Sequence, residues 1–168
     1  LQLIAKNCRL LFPIVPSDNF RAMMKTLSPY LHPYHVLIHG TKGFDLRGHL
    51  DADSSQITRR DVSTMSEIIR QESVVVRIGC LSGPNLAREI MDGQPTATVI
   101  ASRFDEVIEL GQRVLSSKLF QVFSSHELLG AELAGALNNT IAIGSGILYG
   151  LGMGKNIQAL LITRGLME

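Results

Sequence analysis

The run Val74 to Leu81, VVVRIGCL, is β-branched and apolar except at Arg77. A strand that can be apolar on both faces belongs inside a parallel sheet with helices above and below it. Segments of matching character lie on either side. Arg9 to Val15 is a short apolar run ending at Pro16, and the start LQLIAKNCRLLFPIV reads as a strand, although Pro13 cannot donate to a central ladder. Ser17 then stands where it can cap a helix from Asp18 to about Leu27, with Phe20, Met23, Met24 and Leu27 on one face. His35 to His39 reads as a second strand, followed by the loop Gly40-Thr41-Lys42-Gly43.

After the polar stretch 44 to 61, helical spacing predicts a helix over Val62 to Gln71. Beyond the Val74 run come a short helix from Asn85 to Met91, a strand from Thr96 to Ala101, an amphipathic helix from Phe104 to Leu115 and a strand from Leu119 to Phe123. Strands alternating with helices predict an α/β domain with a largely parallel sheet. From His126 onward no strand is found, only the run GAELAGALNNTIAIGSGILYG, a glycine turn and a last helix from Asn156. Residues 1–125 are therefore expected to form the α/β part and residues 126–168 a helical part. The first strand has no preceding element and the last helix no stop signal, so both ends look cut.

Hydrophobic residues make up 45% of the chain and charged ones 18%, which places it among globular proteins rather than disordered ones. The formal net charge is +1, and no window joins basic residues to aromatics as a nucleic-acid groove requires. Leu133 to Leu151 is apolar enough to test for membrane insertion. Asn138 and Asn139 near its middle would be costly in lipid, so it reads as a buried helix of a protein without a membrane span. Its small residues would admit a close neighbouring helix or a ligand. Cys8 and Cys80 sit in apolar runs outside any CxxC pair and read as two reduced, buried thiols. No metal site is expected: the histidines at 32, 35, 39, 49 and 126 have no ligand-like spacing with carboxylates, and none is read as catalytic.

Lys42 follows a strand in a glycine-flanked loop, at the edge of the sheet where α/β folds bind ligands, and reads either as a ligand-binding cation or as a solvated surface lysine. Ser82-Gly83-Pro84-Asn85 joins a strand to a helix, so its amides either face an anion or merely start the helix.

Four segments occur together in order: TKGFD at 41–45, SGPNLAREI at 82–90, GAELAGALNNTIAIGSGI at 130–147, and GLGMGKN with ITRGLME at the end. Together they resemble the NAD-dependent glycerol-3-phosphate dehydrogenase family. The resemblance implies a Rossmann-like domain followed by an all-helical one, with substrate between them. It also implies a cytoplasmic oxidoreductase using NAD or NADP, transferring hydride to dihydroxyacetone phosphate to give sn-glycerol 3-phosphate for lipid synthesis. The partner it implies is a phosphorylated small molecule, and it allows a homodimer. The family's GxGxxG turn would lie upstream of Leu1 and its phosphate-binding arginine beyond Glu168, while Arg164 is read as structural.

By the same resemblance Lys42 touches substrate and cofactor, Gly83 and Asn85 line the substrate site, and Ala87 approaches the cofactor. Ser17 and Phe20, just past the first strand, are carried as weaker cofactor contacts, with Phe20 equally well placed for the core. The family often has serine where Asn85 stands, and either side chain can cap a helix or bond a hydroxyl. Asn139 matches a substrate-side asparagine. Asn138 departs from the pattern, because the family's usual GALKN places there the lysine that handles the substrate hydroxyl proton. An amide orients a hydroxyl but has no basic pair near neutral pH. Two rival readings follow: a catalytically impaired binding homologue, and a 3-hydroxy acid dehydrogenase of the same plan, against which SGPN together with TKG argues.

Overall fold

The computed structural model describes residues 1–46 and 57–167. His49 lies outside the described residues. Contrary to the strand expected at the start, Gln2–Asn7 forms a short helix, α1, whose Ala5 is buried and whose Asn7 amide donates back to the Leu3 carbonyl at 2.8 Å. Strand β1 is only Leu10–Leu11, and its ladder stops before Pro13, which has no N–H to give. Helix α2 (Ser17–Leu27) starts after Pro16, and Ser17 makes no side-chain capping bond. Its stripe is as expected: Phe20, Met24 and Leu27 are buried.

Strand β2 (Val36–His39) is followed by the short antiparallel pair β3 (Asp45–Leu46) and β4 (Val62–Ser63). Helix α3 (Met65–Glu72) begins three residues later than its periodicity suggests, because a capping box fixes its start. Thr64 accepts from the Glu67 amide while the Glu67 carboxylate accepts from the Thr64 amide. Strand β5 (Arg77–Ser82) also begins late, with Val74 and Val76 exposed ahead of it. There follow α4 (Ala87–Met91), β6 (Thr96–Ser102), α5 (Asp105–Leu115), β7 (Phe120–Ser125), α6 (Leu128–Gly150) and α7 (Lys155–Met167).

The sheet order is β1-β2-β5-β6-β7. All pairings are parallel except β5 with β6, which run antiparallel through Gly79↔Ser102 to Ser82↔Val99. Strand alternation divides the core between the two faces. Leu37 and Ile78 pack with Phe20, Met24, Ile68 and Ile69 from α2 and α3, while Val36 and Ile38 pack with Val107 of α5. Gly79 is needed for space on the α5 side, since a Cβ there would lie 2.9 Å from Val107.

The chain forms two compact units, Leu1–Gly135 and Ala136–Glu168. Helix α6 thus begins in the first unit, where Leu128 joins Cys80 and Ala101, and continues into the second. Within the second unit α6 and α7 approach at glycines: a Cβ on Gly144 would lie 3.0 Å from Leu161, and one on Gly165 would lie 2.8 Å from Ile141. The burial expected along α6 is not met within the chain, because Leu137, Ile143, Ile147 and Tyr149 are exposed. Two helices cannot cover one another's whole circumference. No described helix is long and apolar enough to cross a membrane.

Candidate active site

Parallel β2 and β5 end at one edge of the sheet, and the loops leaving them carry the candidate residues. Thr41 is buried beside Val15, donating to its carbonyl at 2.7 Å and accepting from its amide at 3.3 Å. That pair ties the loop after β2 to the segment after β1. Gly43 turns the loop with φ 125°, a conformation side chains disfavour, and stands against half-buried Ser17. On the far side Arg21 binds Asp45 and Glu72, so α2 and α3 both grip the residues following Lys42.

Held this way, exposed Lys42 donates from Nζ to the Gly83 carbonyl at 3.1 Å. The Gly83 turn is fixed in its own right. Asn85 Nδ2 donates to Thr98 Oγ1 at 3.1 Å, and that hydroxyl donates to the Ser82 carbonyl at 3.0 Å. Asn85 Oδ1 is out of water and accepts no hydrogen bond among the described residues. An amide oxygen in that state costs about 1–3 kcal/mol unless a donor reaches it.

The first turns of α6 lie over the same edge. Ser82 Oγ donates to the Ala131 carbonyl at 3.2 Å, and a Cβ on Gly135 would lie 3.3 Å from Ser82 Oγ and 3.7 Å from Lys42 Cγ. Lys42, Gly83, Asn85 and the Gly135 turn are thus brought together.

The other expected site residues differ in exposure. Phe20 has no exposed surface; its ring meets His39 edge-on at 6.0 Å inside the core. Ala87 is exposed, but α4 has only five residues, is capped by the Leu86 backbone and takes no side-chain cap from Asn85. Asn138 and Asn139 are exposed on α6 in the second unit and bear none of the desolvation cost expected of buried amides. Cys8 is exposed rather than buried. Cys80 is buried, and its thiol is pushed up to about 12 by burial and then by the Glu132 charge, with Lys42 acting in the opposite sense.

Sequence reasoning passed over Glu132 and His39. Glu132 Oε1 lies 3.0 Å from His39 Nε2, although the imidazole N–H does not point along the contact. The Ser66 amide donates to Oε1 at 2.7 Å, and the Ser66 and Thr64 hydroxyls donate to Oε2 at 2.7 and 3.0 Å. Burial alone would raise the Glu132 carboxyl, but His39 and Ser66 overcome it and hold it below the usual carboxylate range. A signal was available: Glu132 is the sole charged residue in the α6 sequence. His126 also meets a carboxylate, Asp105 at 2.7 Å, on the open surface. His35 is buried, its Nδ1 accepting from the His32 amide and its Nε2 donating to the Ala5 carbonyl, a purely structural use.

The family models that match are described as NAD-dependent glycerol-3-phosphate dehydrogenase N-terminus, over residues 1–108, and C-terminus, over residues 127–168. Among curated relatives, glycerol-3-phosphate dehydrogenase [NAD(P)+] of Saccharophagus degradans is 42% identical over 92% of this chain and 39% of its own length. That of Acinetobacter baylyi is 39% identical over 100% of this chain and 43% of its own length. The chain spans about two fifths of the length of these relatives. The crystal structure of glycerol-3-phosphate dehydrogenase from Coxiella burnetii matches 99% of the chain and 47% of that protein, with a TM-score of 0.80 and 29% identity. On the match of the first family model to residues 1–108, the chain belongs to the NAD-dependent glycerol-3-phosphate dehydrogenase family.

Proposed function

We propose that this chain takes part in reversible hydride transfer between NAD(P)H and C2 of dihydroxyacetone phosphate, giving sn-glycerol 3-phosphate. The observation that carries the reading is the cluster at the sheet edge, where Lys42 Nζ meets the Gly83 turn beside Asn85, whose Oδ1 accepts no hydrogen bond among the described residues. A cytoplasmic location and a homodimer belong to the same reading.

The residues present fit the cofactor in part. No GxGxxG turn occurs within the 168 residues, while half-buried Ser17, exposed Lys42 and exposed Ala87 are the groups that would border a nicotinamide dinucleotide. That cofactor, when bound, supplies the hydride. The chain's own residues bind and orient. The Lys42 ammonium offsets negative charge on a phosphorylated substrate or on its carbonyl oxygen, and Asn85 Oδ1 accepts from a hydroxyl. In the second unit, Asn139 is by resemblance a substrate-side amide, and Asn138 can hold a hydroxyl without taking its proton.

Asn138 favours a second reading, in which the site binds substrate but turns it over poorly. Both are tested in a chain completed to the length of its relatives, measuring dihydroxyacetone phosphate binding separately from NADH oxidation. A positioned general acid or base contributes about 10²- to 10⁴-fold, so Asn138→Lys is expected to raise kcat by a large part of that factor with binding little changed. Turnover at a family-like rate with Asn138, not improved by lysine, would show that the proton travels by another route. Absence of phosphate-ester binding would remove both readings.

A further inference from the structure

The Glu132 carboxylate joins three elements of the first unit: the end of β2 through His39, the start of α3 through Thr64 and Ser66, and α6 on which it stands. Its side chain is 4% exposed and His39 is fully buried. A buried carboxylate facing an imidazole is weak evidence of stability, because apolar side chains of similar volume often stabilise as well or better. What a satisfied carboxylate gives instead is direction, since each hydrogen bond fixes one angle between the elements it joins.

That direction bears on the site. One residue before Glu132, the Ala131 carbonyl accepts the Ser82 hydroxyl, and one turn after it Gly135 rests against Ser82 and the Lys42 stem. His39 precedes Lys42 by three residues on the same strand and loop. A shift of α6 would move both supports of the Lys42–Gly83 pair at once.

We propose that Glu132 is a positioning residue for Lys42: facing His39 at 3.0 Å and hydrogen-bonded by Thr64 and Ser66, it seats the first turns of α6 so that the Lys42 ammonium is held at the Gly83 turn. Glu132→Gln keeps the shape and leaves one acceptor oxygen for the Ser66 amide. It loses the charge facing His39 and the second oxygen that takes two hydroxyls.

The proposal rests on Lys42 as a substrate-binding group, and the test separates the two claims. In a chain completed to the length of its relatives, Glu132→Gln, Lys42→Ala and the double variant are compared well below their melting temperatures. One readout is affinity for glycerol 3-phosphate by calorimetry; the other is the rate of Lys42 acylation by acetic anhydride, followed by peptide mass spectrometry. Glu132→Gln is expected to weaken affinity about tenfold, in the coupling range of contacting residues, but to add nothing in the Lys42→Ala background. It is also expected to change Lys42 acylation about threefold or more. Equal losses in both backgrounds, or unchanged acylation, would overturn the proposal. If the unmodified protein does not bind glycerol 3-phosphate, the substrate reading fails and acylation alone decides the positioning role. Should Glu132→Gln not fold, Ser66→Ala removes one hydroxyl from the carboxylate. It should show the same dependence on Lys42 at about threefold, and its absence counts against the proposal.

Discussion

Gly83→Ala tests whether the turn that receives Lys42 is as tightly seated as its geometry requires. Gly83 does not occupy a positive-φ conformation, so its smallness serves space rather than backbone freedom. A Cβ there would lie 3.0 Å from Thr98 Cα, 3.0 Å from Thr98 Oγ1 and 3.1 Å from the Ala97 carbonyl. Two of those atoms are backbone of β6, which is paired on both sides and cannot step back. Overpacking of this kind costs about 1–3 kcal/mol. Pushing the turn away also weakens the 3.1 Å bond from Asn85 to Thr98, about 1 kcal/mol more. The reduced freedom of the unfolded chain returns about 0.4–1 kcal/mol. The net is a loss of about 2 kcal/mol, or roughly 4–8 °C in melting temperature for a chain of this size. Gly146→Ala is the control: nothing lies within 4 Å of its Cβ position in α6, so helix propensity alone should raise stability by up to about 1 kcal/mol. Both are measured by calorimetric melting, with phosphate-ester affinity recorded alongside. If Gly83→Ala melts at or above the parent, the turn is loose and the close approach to β6 does not hold Lys42's acceptor in place.

Acid should expose the Glu132 linkage. Its folded pKa lies below the ordinary 4.5 because His39 and Ser66 outweigh burial, so its stabilisation is present above about 4.5 and is lost as pH falls through the folded value. Melting curves for the parent and Glu132→Gln are therefore expected to differ most above pH 5 and to converge on acidification; parallel curves would show that the carboxylate is not held ionised. Thiol labelling should separate the cysteines: exposed Cys8 reacts with iodoacetamide at pH 8 in the folded protein. Cys80, buried with its thiol near 12, is thiolate to about one part in ten thousand at that pH and should wait for unfolding; equal rates would refute its burial.

Most of the α/β frame was legible because its periodicities are clean. Phe20, Met24 and Leu27 mark one face of α2, and the apolar run before the TKG loop is β2. The losses have specific causes. LQLIAKN is apolar enough for a strand, yet β1 pairs only through Leu10 and Leu11, which leaves the preceding residues free to coil into α1. Val74 and Val76 have the composition of β5 but no strand partner, since pairing, not β-branching, decides where a strand begins. The direction of β6 leaves no mark in TATVIAS either. An antiparallel strand buried on both sides has the same composition as a parallel one, and residues 83–95 are long enough to return the chain either way.

The site was legible where it is a loop and opaque where it is a network. Lys42 and Gly83 stand out because glycine and a lone cation after a strand are unusual locally. His39 and Glu132 do not: His39 is a strand residue among Leu37 and Ile38, and Glu132 was passed over as a single charge in an apolar helix. Only their meeting across β2, α3 and α6 gives either a purpose. Helical geometry nonetheless places Glu132 on the inward face. Leu128, Glu132 and Gly135 are the buried stripe of α6, the i, i+4, i+7 spacing that turns one helix face inward. Glu132 is thus a charge on the buried stripe of an otherwise uncharged helix, and Ser66, Thr64 and His39 are what meet it there.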